Sequence, residues 1–127
     1  MTAIGLFRCR TNETKCPLTN CFRSLFSRSQ GFSGYEHTEL AGVFTLQEEL
    51  EANLDLARIL KSKGAEAIHV ATCAFARKGE DKTWHLGGGF VDNVDDLCAA
   101  IAQETGIPCI KGSAHLPEGY TPDVFRP

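Results

Sequence analysis

The chain has 127 residues, of which 43% are hydrophobic, with six cysteines and a net charge of −3. That length allows one domain over residues 1–127 to bury a core without a disulfide scaffold, and an acidic balance without a long basic run excludes nucleic acid as the main partner. No apolar stretch approaches membrane-spanning length and the first residues carry no basic leader or cleavage site, so the expected setting is the cytoplasm, away from membranes.

In a reducing compartment, cysteines at this density point to metal binding, catalysis or burial rather than to disulfides. Their surroundings are uneven in charge. Residues 1–30 carry Arg8, Arg10, Lys15, Arg23 and Arg28 against Glu13 alone, and also hold Cys9, Cys16 and Cys21. Basic neighbours favour thiolate over thiol.

In chain order, Ala3-Ile4-Gly5-Leu6-Phe7-Arg8-Cys9 reads as a buried strand that runs out at a cysteine. Residues 11–18 are polar, after which Thr19 or Asn20 is placed to cap a short helix burying Phe22, Leu25 and Phe26, with Gly31 as its stop. A turn over residues 33–37 leads into a second strand, Glu39-Leu40-Ala41-Gly42-Val43-Phe44-Thr45, weakened by its glycine. Leu46, Leu50, Leu54, Ala57 and Leu60 then recur at helical spacing up to Gly64.

Ala65-Glu66-Ala67-Ile68-His69-Val70-Ala71-Thr72-Cys73 is a third strand, again ending at a cysteine. Residues 74–92 mix charged residues with Trp84-His85-Leu86 and Gly87-Gly88-Gly89, the composition of a long functional loop without regular structure. Asn93 is placed to cap a helix with Asp95 and Asp96 in its first turn, an apolar face of Val94, Leu97, Cys98 and Ile101, and Gly106 at its end. Pro108 opens a fourth strand through Cys109 to His115, and residues 116–127, with three prolines, read as an irregular tail.

Strands alternating with helices predict an α/β fold, a doubly wound parallel sheet of about four strands with helices on both faces and the first and third strands side by side. In such sheets, sites gather beyond the carboxyl ends of the strands at the switch in strand order. Cys9, Cys73 and His115 all end strands, so one rim is expected to collect them, with Cys16 and Cys21 folding over the same edge around a single cavity. Cys98 and Cys109 fall on core positions. His69 precedes Cys73 by four residues, or ~13 Å along a strand, and reads equally well as a hydrogen-bonded core histidine. His85 is expected to close over the rim from its loop, and His37 to be solvated in its turn.

Zinc suits mixed thiolate and imidazole ligands, so Cys9, Cys16, Cys21, Cys73 and His115 form the candidate metal set, with an iron-sulfur cluster as the less favoured cofactor. The spacing Cys9-x6-Cys16-x4-Cys21 is not that of a zinc finger, ribbon or ferredoxin. A phosphatase loop is excluded as well, because the position that needs arginine holds Lys15 counting from Cys9 and Phe22 counting from Cys16. There is no Cys-x2-Cys redox pair, dinucleotide fingerprint or Walker loop.

The pattern resembles the CGGC-domain family of small cysteine- and histidine-rich proteins. The resemblance is carried by Ile4-Gly5-Leu6-Phe7-Arg8-Cys9, by Cys16-Pro17-Leu18-Thr19-Asn20-Cys21-Phe22, by the stretch from Gly64 to Cys73, and by Thr105-Gly106-Ile107 followed by Lys111-Gly112-Ser113-Ala114-His115. It implies a metal site and carries over Cys9, Cys16, Cys21, His69, Cys73 and His115. The defining Cys-Gly-Gly-Cys belongs after the second strand, where this chain reads Phe44-Thr45-Leu46-Gln47-Glu48-Glu49-Leu50, without a cysteine. The Cys-Pro-His-like element expected before the last helix is absent too. Glu48 or Glu49 is available as an oxygen ligand, although acids early in a helix are also favoured by its dipole.

Three functional readings follow. The first is a metal-binding protein, zinc before iron-sulfur, with a metal or a small molecule as its ligand. The second is a metal-free thiol enzyme or redox sensor with Cys9 or Cys16 as nucleophile. The third is a binding or assembly module, such as a homodimer formed through an edge strand or the tail.

Overall fold

The computed structural model describes residues 2–127; Met1, which opens the apolar run, lies outside them. Strand β1 (Thr2–Arg8) is followed by α1 (Thr19–Ser27), β2 (Thr38–Thr45), α2 (Leu50–Ser62) and β3 (Ala67–Val70). Then come β4 (Ala76–Lys78), β5 (Trp84–Leu86), α3 (Val94–Thr105), β6 (Cys109–Lys111) and β7 (Asp123–Phe125).

The main sheet has the order β2-β1-β3-β6-β7. Its first four strands pair in parallel and β7 runs antiparallel against β6. The α/β class and the neighbouring first and third strands are therefore as the alternating pattern implies, and the order reverses between β1 and β3. The side-chain period of two then sorts the core. Ile4, Ala67 and Ile110 face α1 with Leu25 and Phe32, whereas Phe7, Ile68, Val70 and Cys109 face α2 and α3.

Gly42, which weakens β2 as a strand sequence, has a packing role. A Cβ there would stand 3.1 Å from Leu60, and one on Gly5 of the adjacent strand 3.0 Å from the same side chain. The two glycines form a seat that lets α2 lie close to the sheet, with Leu60 only 2% exposed.

Several local expectations are corrected. Residues 74–92 are not free of regular structure, because β4 and β5 pair as an antiparallel hairpin, with Arg77 opposite His85. The tail is not wholly irregular either. Pro122 is followed by β7, which covers the outer edge of β6 and leaves it no open ladder on that side. The fourth parallel strand stops at Lys111 instead of His115, since Gly112 turns away at φ 145°. No side chain caps α1 or α3, and Leu18 and Arg28 in the left-handed region bound α1, so neither Thr19 nor Gly31 sets its ends. The helix predicted from Leu46 begins at Leu50, leaving Leu46 buried in the preceding loop. Among the described residues, no helix is long and apolar enough to cross a membrane.

Candidate thiol centre

The site begins where β1 ends. Arg8, its last residue, turns its guanidinium onto the following loop, where Nη2 donates to the carbonyls of Asn12, Glu13 and Cys16 at 3.4, 3.3 and 2.6 Å. Main-chain bonds from Cys16 and Lys15 to the Asn12 carbonyl tighten the same turn. This cation, read from the sequence as an activator, thus first shapes the loop that carries Cys9 and Cys16.

From the neighbouring strand, β3 leads through Ala71 into a short 3-10 turn, Thr72–Ala74, that presents Cys73. Because β1 and β3 are paired in parallel, Cys9 and Cys73 come near each other at one edge of the sheet, and the ionisation of each is coupled to the other. Cys9 is lowered to about 6, first by the Cys73 thiol, against the opposing effect of burial, and then by the main-chain N–H and side-chain amide of Asn12 and by the charge of Arg8. Cys73 is correspondingly pushed far up, because ionising it would strip the proton the pair shares and place a second anion near the first. The pair shares one proton. Cys9 is 1% exposed while Cys73 is partly open to solvent.

Thr72 and Ser113 hold the two strand ends together through reciprocal bonds, and the Ser113 hydroxyl also meets the Cys21 thiol at 3.3 Å. Burial raises Cys21, with the charges of Cys16 and Cys9 adding to the effect. Cys16 accepts the Leu18 N–H at 3.4 Å. Cys21 and Cys73 are thus raised in part by neighbouring thiols, while Cys16 and Cys21 each keep a local hydrogen-bond partner.

His115 has partners of its own. Its Nε2 is 3.0 Å from the Asn20 side-chain amide, and its ring stacks on Trp84 at 5.1 Å. His69 is a core histidine: it is fully buried, packs on Phe32 at 4.3 Å, and bonds the Gly112 carbonyl through Nδ1 and the Tyr35 hydroxyl through Nε2. His85 bonds Asp81 and Thr83 within its own hairpin rather than closing over the rim. Cys98 and Cys109 are buried on the α2–α3 face as expected, and they also touch each other, which with burial drives Cys109 upward.

A cavity of 340 Å³ opens at Cys73, with Thr11, Asn12, Arg77, Lys78 and Trp84 in its wall. Of the predicted set, Cys73 lines this cavity. The segment where Cys-Gly-Gly-Cys is missing borders a different cavity, of 560 Å³, lined by Glu48, Asp92 and Asp96. Among the described residues, no three His, Cys, Asp or Glu side chains are grouped so that they could hold a metal ion.

Asn12, Thr72 and Ser113 were not singled out by the sequence reading. Asn12 offered only its place three residues after Cys9, and Ser113 its place in the stretch before His115.

The CGGC-domain model matches residues 3–114, and the chain belongs to that family. A protein of Methanocaldococcus jannaschii, itself described as uncharacterised, is 27% identical over 110 residues, or 82% of this chain and 79% of that one. No solved structure matches the chain.

Proposed function

We propose that this CGGC-domain protein works as a dithiol, with Cys9 and Cys73 exchanging electrons as a pair. The observation that carries the reading is the placing of Cys9 and Cys73 just beyond the same ends of two adjacent parallel strands, near enough for each to shift the ionisation of the other. A thiolate is the reactive form of cysteine; because the pair shares one proton, Cys9 can take it from Cys73 as Cys73 reacts, and the two can then close a disulfide. Cys73 is the exposed member and meets the reaction partner; Cys9 takes its proton and then resolves the intermediate. The test is mild oxidation followed by peptide mass spectrometry. The expected product is a Cys9–Cys73 disulfide, and a product joining other cysteines, or none, rules the pair out.

A metal reading has its own support, in the family membership and in the mutual influence of Cys9, Cys16, Cys21 and Cys73. It places zinc among these four thiols after local rearrangement. Elemental analysis of untagged protein decides it: near-stoichiometric zinc supports this reading, and less than about a tenth of an equivalent counts against it.

A further inference from the structure

The rim of the sheet carries two cavities of opposite character. The one bordered by Glu48, Asp92 and Asp96 presents three carboxylates, whereas the one at Cys73 presents Arg77 and Lys78 and no acid at all. In a chain with 16 acidic and 13 basic residues, that separation makes the Cys73 cavity locally positive. Phe90 lines both and forms the boundary.

The cavity is also fitted to its thiol. Asn12 lines it and belongs to the loop that leaves Cys9 and is held by Arg8, so the wall that meets a ligand is built on the loop beside that thiol. Gly88 lets the Arg77 side chain lie against the hairpin, since a Cβ there would come within 2.5 Å of it. Gly89 presses on the backbone of Ala74 and Phe75, where a Cβ would meet main-chain atoms at 2.5 Å, and so closes the floor next to Cys73. Trp84, fixed by its stack on His115, supplies an apolar side.

Building on the dithiol reading, we propose that this cavity takes a small disulfide bearing carboxylate groups, with Arg77 and Lys78 receiving the anion and Cys73 attacking its sulfur. In the first step the Cys73 proton passes to the Cys9 thiolate as Cys73 Sγ bonds one ligand sulfur. The ligand S–S bond breaks and its electron pair leaves with the first product thiolate. In the second step Cys9 Sγ bonds Cys73 Sγ, the second product leaves as thiolate and takes up the Cys9 proton. The protein dithiol is oxidised by two electrons and the ligand disulfide is reduced to two thiols. The volume of 340 Å³ suits a compact ligand of this kind.

The test compares three disulfides of similar size on the reduced full chain: dithiodipropionate, which is anionic, bis-hydroxyethyl disulfide, which is neutral, and cystamine, which is cationic. The anionic probe should react faster than cystamine by about tenfold or more at low salt, with the advantage shrinking as ionic strength rises. Arg77→Gln with Lys78→Gln should collapse that ratio, and Lys63→Gln, outside the cavity, should leave it as it is. Cys9→Ser should leave the mixed disulfide trapped on Cys73, formed more slowly because the base that takes the Cys73 proton is gone. Equal rates for all three probes, or a ratio untouched by the double substitution, overturn the anion cavity while the dithiol stands. Failure of Cys73 to react with any of them overturns the dithiol and the cavity assignment with it.

Discussion

Thr72 and Ser113 clasp each other: the Thr72 N–H donates to the Ser113 hydroxyl at 3.2 Å, and the Ser113 N–H donates to the Thr72 hydroxyl at 3.1 Å. The clasp ties the end of β3 to the chain leaving β6 and sets the residue that precedes Cys73. Ser113→Ala leaves the buried Thr72 N–H without a partner and removes the hydroxyl beside Cys21. The expected loss is about 1–3 kcal/mol in urea denaturation, together with slower formation of the Cys9–Cys73 disulfide.

The thiolate of the pair should titrate near pH 6, read by ultraviolet absorbance or by alkylation rate against pH, where an isolated thiol ionises near 9. Cys73→Ala removes the largest cause and should move the Cys9 midpoint up by more than a unit. A midpoint unchanged by that substitution would mean that Asn12 and Arg8 hold the thiolate without Cys73.

The same pair sets a pattern of stability with pH. Cys9 is lowered in the folded state, so its contribution is present above the unfolded value near 9 and is lost as pH falls through about 6. Cys73 is raised, so the native state keeps a proton that the unfolded chain releases above about 9, and stability then falls. The pair therefore contributes a maximum close to pH 9. The difference in stability between the wild type and Cys9→Ser with Cys73→Ala should be greatest near that pH and level off to a smaller, constant value below about 6.

His69 gives a second, separate pH signature. Burial lowers it to about 4, so it stays neutral in the fold while the unfolded chain takes up a proton below about 6.5. Its contribution is lost as pH falls from about 6.5 to 4. His69→Gln should flatten stability in that window while lowering it overall. Tyr35→Phe, which deletes the 2.7 Å bond to Nε2, should cost about 1 kcal/mol and leave the thiol titration unmoved.

Arg8 is predicted to act through the loop more than through its charge. Arg8→Ala releases three carbonyls between Asn12 and Cys16. Limited trypsin digestion should then cut faster at Arg10 and Lys15, and the Cys9 midpoint should rise as Asn12 loses its fixed position. Unchanged cleavage would show that the main-chain turn holds the loop by itself.

The class of fold, the neighbouring of the first and third strands and the placing of Cys9 and Cys73 at one edge of the sheet are legible in the residue pattern. These follow from discrete features: apolar period, strand direction and the rule that parallel strands end on the same side. The residue pattern also placed Cys98 and Cys109 in the core, because burial follows from which face a residue occupies. Only the tertiary structure decided that Cys16, Cys21 and His115 have partners of their own. A hydrogen bond to Leu18, Ser113 or Asn20 depends on where loops set an atom to within an ångström, and no residue spacing encodes that. The hairpin in residues 74–92 and strand β7 were hidden for a related reason. Each is three residues per strand, too short for a period to register, and each exists because a ladder partner far along the chain or across a turn completes its hydrogen bonds. The positive cavity at Cys73 belongs with these, since Thr11, Arg77 and Trp84 share a wall only after the hairpin has folded against the end of β1.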